Sequence, residues 1–198
     1  MIKTIFFDIG GVLIDISFRR TSKFISDCID VPVSKIEEAF PSSIHDRYEK
    51  GLISSHDWFT KYKESLPQPC YLKEVDFWKA WSLLLGKETK VVSLMEKLKT
   101  KYSIWLLSNT NPKHINDEIE KNYRFPKLID GAIYSFNVGS RKPEKRIYIK
   151  AAKSKPNECF FIDDLRDNIQ VAKEVGFHGV HFKSYEKLVT YLKKEGVF

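Results

Sequence analysis

No run of apolar residues in this 198-residue chain approaches the roughly 18 needed to cross a bilayer, which excludes a membrane-spanning helix. The apolar N-terminus is interrupted by Asp8 and Asp15 and meets no small-residue cleavage site, so the chain reads as a cytoplasmic protein. Cysteine is scarce. Cys28, Cys70 and Cys159 are odd in number and lack Cys-x-x-Cys spacing, which excludes a disulfide framework and a zinc knot and predicts buried, reduced thiols. There is no internal repeat and no low-complexity segment. Basic residues outnumber acidic ones, 33 to 26, for a net charge of +7, yet no compact basic tract is interleaved with aromatics. Lysines are scattered through Lys97-Leu98-Lys99, Lys150 to Lys155 and Lys193-Lys194, as on solvated helix faces, and a nucleic-acid groove is not indicated. A positive field can still steer phosphorylated metabolites inward.

With 42% hydrophobic and 14% aromatic residues, the chain can bury the core of one domain, with room for a smaller insert. Short apolar runs at Ile2 to Phe7, Ser103 to Leu107, Ala132 to Tyr134, Cys159 to Ile162 and Gly179 to Phe182 predict strands. Runs this continuous belong to a mostly parallel sheet covered on both faces. Between them, Val91, Val92, Leu94, Met95 and Leu98 recur with helical spacing, as do Ile147, Ala151 and Ala152, and Val171, Ala172 and Val175. Pro143 suits a helix start and Gly176 a helix end. The expected fold is α/β: a Rossmann-like sheet with helices on both faces. Residues 15–85 break the alternation. They hold no convincing strand, only helical pieces such as Ser34 to Glu37, which has capping-box spacing, and the tryptophan-rich segment Phe77 to Trp81. The expected division is a core of residues 1–14 and 86–198 with a small helical cap, 15–85, inserted after the first strand and hanging over the strand ends.

Asp8 stands where the first apolar run gives way to Gly10-Gly11, so a carboxylate is pre-positioned beside a turn whose N–H groups can face an anion. Alone, Asp-x-Gly-Gly is equally an ordinary loop at a sheet edge. A second apolar run ends in Asp163-Asp164, and two such strand ends can converge on a metal. Ser108-Asn109-Thr110-Asn111 offers donors suited to phosphate just before a helix expected near Pro112, although the same residues also make a plain helix cap. Lys142, in Ser140-Arg141-Lys142-Pro143-Glu144, puts an ammonium where it can neutralise a carboxylate or a phosphoryl oxygen.

In this order, the four pieces resemble the haloacid dehalogenase superfamily of phosphatases, with Asp8, Ser108-Asn109, Lys142 and Asp163-Asp164 as its four motifs; the wording is nearest the branch of bacterial α-glucose-1-phosphate phosphatases. The resemblance covers the whole chain and implies a phosphomonoester hydrolase acting on a small phosphorylated metabolite such as a sugar 1-phosphate. It implies Asp8 as nucleophile and Mg²⁺ held by Asp8, Asp164 and the Gly10 carbonyl, with Asp163 orienting the metal's waters. Ser108, Asn109, Lys142 and the Gly10-Gly11 turn would hold the phosphoryl oxygens, with Asp167 and Asn168 behind them. Asp167 serves equally well as a helix-capping residue.

One position departs from that family. Its phosphatases usually carry a second aspartate two residues after the nucleophile, as general acid and base, and here that residue is Gly10. Such help is worth about 10²–10⁴-fold. Three explanations stand: a good leaving group such as an anomeric oxygen, which the glycine at this position in the resembled branch favours; a cap residue such as Asp15, His45 or Glu49 in its place, although His45 and Glu49 read more readily as surface or structural residues; or a weak enzyme. A 2-haloacid dehalogenase and a silent interaction module are the alternative functions; Asp163-Asp164 argues against the first, and retention of all four motifs against the second. His45, Arg47, Tyr48, Trp58 and Trp81 are candidate specificity contacts, with the tryptophans equally readable as core.

Overall fold

The computed structural model describes residues 1–153 and 155–198. Its centre is a five-stranded parallel sheet in the order β5-β4-β1-β6-β7. The strands are β1 (Thr4–Phe7), β4 (Ser103–Ser108), β5 (Gly131–Tyr134), β6 (Cys159–Asp163) and β7 (His178–His181). Their unbroken apolar runs follow from burial on both faces. Alternate side chains of one strand serve different cores: Ile5 and Phe7 of β1 join Ile104, Leu106, Phe160 and Ile162 on one face, while Phe6 joins Leu107 and Phe161 on the other. The first face is covered by α6 (Val91–Leu98), by π-helical Lys113–Ile119 running into α7 (Glu120–Asn122), and by α11 (Tyr185–Lys194). The second is covered by α9 (Lys145–Ala152) and α10 (Arg166–Val175); α8 (Ser135–Val138) follows β5. Gly176 ends α10 at φ 104°, in the left-handed region that glycine allows.

The expected α/β class, with parallel sheet and helices on both faces, is the observed one. Because the strands are parallel, the ends of β1, β4 and β6 lie along one edge, with Asp8, Ser108 and Asp163 at that edge.

Five helices occupy the interval after β1: α1 (Phe18–Ile29), α2 (Val33–Glu38), α3 (Ser42–Glu49), α4 (Ser55–Ser65) and α5 (Glu74–Ser82). Their buried side chains form a cluster of their own around Trp58, which stacks on Tyr48 at 5.7 Å and meets Trp81 edge-on at 5.4 Å. Two expectations for this stretch fail. A strand is present: β2 (Ile14–Ile16) pairs antiparallel with β3 (Leu85–Glu88), so the chain's entry to the helices and its exit from them lie side by side. Three residues are too few to show alternation in a sequence, and the partner is some seventy positions away. The capping box is not at Ser34. Helix α2 starts from Pro32 without a side-chain cap, and Glu37 accepts a hydrogen bond from Ser22 Oγ at 2.9 Å instead. The capping box belongs to Ser54 and Asp57, at the start of α4.

The thiol expectation holds for Cys159 alone, since Cys28 is exposed and Cys70 half-buried; all three are free. Among the described residues, no helix is long and apolar enough to cross a membrane.

Trp58 is fully buried, so Trp58→Ala removes the centre of the helical cluster. It is expected to lower the unfolding free energy by about 3–5 kcal/mol in urea titration followed by circular dichroism.

Candidate active site

The edge of the sheet gathers three carboxylates and one ammonium. Lys142 Nζ lies 2.8 Å from Asp8 Oδ1 and 2.7 Å from Asp163 Oδ2, and 5.3 Å from the centre of the Phe161 ring. All of Lys142 but 2% is buried. Burial alone would lower its pKa, but Asp8 and Asp163 overcome that and hold it above the ordinary lysine value. The lysine is fixed by its own backbone: Asn109 Oδ1 accepts from the Lys142 N–H at 2.7 Å, and Asn109 Nδ2 donates to the Lys142 carbonyl at 2.9 Å. The side chain of Asn109, expected to hold phosphoryl oxygens, thus holds the lysine's loop; its backbone N–H donates to no group among the described residues.

Asp163 is fully buried and fully engaged. Oδ1 accepts from the Leu165 N–H at 2.7 Å and Asn168 Nδ2 at 3.0 Å, and Oδ2 accepts from the same Nδ2 at 3.0 Å and from Lys142. Those contacts engage both oxygens of Asp163 and tie it to Lys142. Asn168 supports it from the first turn of α10. Asp167, its expected companion, is exposed, and its side chain makes no hydrogen bond among the described residues.

Asp8 is held by one oxygen only. Oδ1 accepts from the Ile9 N–H at 2.8 Å and faces Lys142, while Oδ2 has no partner among the described residues, and the side chain keeps 12% exposure. A nucleophile needs that combination of one anchored oxygen and one free. Burial, opposed by Lys142 and reinforced by Asp163, pushes the Asp8 carboxyl up to about 7. Burial, with Asp163, also raises Asp164.

Gly11 adopts φ 74° and lies so close to Asp164 that a Cβ would stand 2.2 Å from Oδ2. Its N–H is committed to the Ile14 carbonyl at 2.9 Å, while the Gly10 amide and carbonyl have no partner among the described residues. Oxygens of Asp8, Asp163 and Asp164 fall within 4.8 Å of one another. One ammonium among three carboxylates leaves an excess of two negative charges, the deficit a divalent cation fills, and the donors are hard oxygens. The residues therefore fit a hard divalent metal, with Asp8, Asp164 and the Gly10 carbonyl as its free donors.

Beside the turn lies a cavity of about 120 Å³, lined from the sheet by Gly10, Ser108, Asn109, Thr110, Asn111 and His114, and from the helical side by His45, Glu49 and Trp81. Ser108 is buried at the end of β4, its Oγ only 3.3 Å from the Asn109 carbonyl. Of the candidate specificity residues, His45 and Trp81 reach this cavity. Arg47 is exposed, Tyr48 bonds Ser55 Oγ at 2.9 Å and Trp58 stays in its own core. Asp15, a candidate acid, is exposed on the ribbon.

Two residues were not foreseen. His114 stacks on Trp81 at 5.4 Å and its Nε2–H donates to the Trp81 carbonyl at 2.9 Å, while Asn111 Nδ2 donates to Nδ1 at 3.1 Å, which fixes the tautomer. Its spacing of three from Asn111, on the helix after the second motif, is the signal that could have found it. Burial pushes the ring down to about 4, against the Trp81 carbonyl. Arg141, next to Lys142, reaches Asp46 and Glu49 of α3, standing 2.9 Å from Glu49 Oε2. Lys50 pairs with Glu144 across the same boundary.

Lys142→Met strands two buried carboxylates and is expected to cost about 3–5 kcal/mol at neutral pH, measured by chemical denaturation. The folded pKa of His114 is depressed, so its contribution is present above about pH 6.5 and lost as pH falls towards about 4. His114→Gln is expected to cost about 1–3 kcal/mol at pH 7.5 and clearly less at pH 5, read from paired unfolding curves.

A family model described as haloacid dehalogenase-like hydrolase matches residues 2–176. D-ribitol-5-phosphate phosphatase of Bacteroides thetaiotaomicron is 26% identical over 89% of this chain and 90% of its own. A sesquiterpene phosphatase of Aspergillus oryzae is 25% identical over 90% and 89%. A haloacid dehalogenase-family enzyme of B. thetaiotaomicron, crystallised with magnesium and inorganic phosphate, superposes with a TM-score of 0.81 at 28% identity, covering 95% of this chain and 99% of that one. The L-2-haloacid dehalogenase of Xanthobacter autotrophicus, at TM-score 0.64 and 18% identity over 100% and 85%, shares the fold.

Proposed function

The chain belongs to the haloacid dehalogenase-like hydrolases, and from that membership we propose a Mg²⁺-dependent phosphomonoester hydrolase that works through an aspartyl-phosphate on Asp8. The observation that carries this reading is the half-anchored Asp8, with one oxygen held by Lys142 and the other free beside an acidic group in charge deficit. A dehalogenase nucleophile has no use for Asp164 next to it. The relatives that are phosphatases, and the neighbour holding magnesium and phosphate, support the same chemistry.

In this reading residues 1–14 and 86–198 are the catalytic core and 15–85 the cap. Mg²⁺, held by Asp8, Asp164 and the Gly10 carbonyl, supplies the positive charge that lets a phosphate dianion approach a carboxylate. Asp8 Oδ2 attacks phosphorus in line with the leaving oxygen. The Gly10 and Asn109 amides and Ser108 Oγ hold the transferring oxygens, and Lys142 offsets their charge. Water then cleaves the acyl phosphate and frees Asp8. The cavity between turn and cap carries hydroxyl, amide and imidazole groups beside apolar Ile9, Ile14, Ile16, Phe18, Leu84 and Leu85, and the D-ribitol-5-phosphate phosphatase among the relatives supports a sugar or sugar-alcohol phosphate as its occupant.

Release of inorganic phosphate from p-nitrophenyl phosphate and a panel of sugar 1-, 5- and 6-phosphates, with Mg²⁺ or EDTA, tests this. Turnover is expected with Mg²⁺, absent with EDTA, and reduced by at least about 10³-fold in Asp8→Asn. Folded, Mg²⁺-loaded protein that releases phosphate from no ester would overturn the assignment.

A further inference from the structure

Gly10 has no side chain to protonate a leaving group, and an alkoxide leaves phosphorus poorly without a proton. The opposite wall of the cavity supplies one. Glu49 ends α3, is 93% buried, and lines the same cavity as Gly10, Ser108 and Asn109. Its Oε2 is buried, and among the described residues it meets only the Arg141 guanidinium, as an ion pair. The side chain is held in place. Arg141 stands 2.9 Å from Oε2, and His45 Nε2 is 3.8 Å from Oε1. Arg141 precedes Lys142, so the loop that positions the lysine also positions Glu49.

We propose that Glu49 is the general acid of this enzyme, reaching from the helical side to the leaving oxygen of the bound ester and donating the proton that Gly10 cannot. The proposal rests on the phosphatase reading above. As the Asp8 Oδ2–phosphorus bond forms, the bond from phosphorus to the ester oxygen breaks; its electron pair goes to that oxygen, which takes the Glu49 proton and departs as the alcohol. Glu49 is left as a carboxylate, and it takes a proton from the water whose oxygen attacks phosphorus as the acyl-phosphate bond breaks.

The charges around Glu49 favour this role. Arg141 and Lys142 come from the loop before α9, Asp46 and His45 lie on its own helix, and His114 faces His45 from the π-helix. Burial, opposed by Arg141 and aided by Asp46, lifts its carboxyl to about 7, so both protonation states are within reach near neutrality. His45 is a poor rival: burial, with Arg141 and His114, pushes its ring down to about 3, so near neutrality it is a neutral imidazole and a very weak acid.

The test is single-turnover cleavage by Mg²⁺-loaded wild type and Glu49→Gln, comparing p-nitrophenyl phosphate, whose leaving group needs no proton, with the alkyl phosphate that wild type cleaves fastest. Glu49→Gln is expected to slow the alkyl ester by about 10²–10⁴-fold and the p-nitrophenyl ester by no more than about threefold. Glu49→Asp, which draws the carboxyl back by one methylene, should show the same split in weaker form, and it carries the comparison if the glutamine variant does not fold. Equal slowing of both esters would reduce Glu49 to a structural partner of Arg141 and overturn the proposal, as would undiminished cleavage of the alkyl ester. Wild type that cleaves only p-nitrophenyl phosphate also overturns it while leaving the phosphatase standing; wild type that cleaves neither ester removes the phosphatase reading itself.

Discussion

A lysine ammonium almost without solvent sits between two carboxylates, and the rest of the site is arranged to keep it there. Removing a charge from water costs several kcal/mol, which is recovered only when the partners are close and their remaining lone pairs are filled. Here Asp8 and Asp163 are both within 2.8 Å of Nζ, and Asn168 and the Leu165 amide fill the far side of Asp163. The Phe161 ring lies against the ammonium, and Asn109 grips the lysine backbone from both its N–H and its carbonyl. Asp8, Asn109 and Asp163 stand at the ends of β1, β4 and β6, Phe161 lies within β6, and Leu165 and Asn168 follow in the loop and first turn of α10, so the parallel sheet is the frame that makes the buried charge tolerable.

Much of this was legible in the sequence. Residues doing chemistry at strand ends follow runs with strong periodicity, and the runs around Asp8, Ser108 and Asp163 are unbroken because both faces of their strands are buried. Lys142 was legible through its place before a helix. What the sequence hid is which atom of a residue is spoken for. Asn109 and Gly11 belong to the right turns, but the side chain of one and the amide of the other are used inside the protein. Hydrogen bonds between residues 33 positions apart leave no periodic trace. The β2–β3 pairing was hidden for the same reason, and the false capping box at Ser34 shows that a four-residue pattern cannot tell a local partner from a distant one.

The boundary between helices and sheet is unlike either core. Besides aliphatic contacts, it is crossed by ion pairs and stacked rings: Arg141 with Asp46 and Glu49, Lys50 with Glu144, and His114 against Trp81.

The ribbon of β2 and β3 sets the terms on which the helices are attached. Ile16 and Leu85 are paired residues, so the sheet sees everything between them as a loop whose two ends already touch. Closing a chain costs entropy that grows only with the logarithm of its length, and the ribbon settles that cost at the neck. Helices could be lengthened, shortened or exchanged beyond the neck with little consequence for the register of β1 against β4 and β6. In evolutionary terms, the helices other than α3, whose Glu49 is tied to the Arg141 loop, are the part that selection can rework while the charged edge below stays as it is.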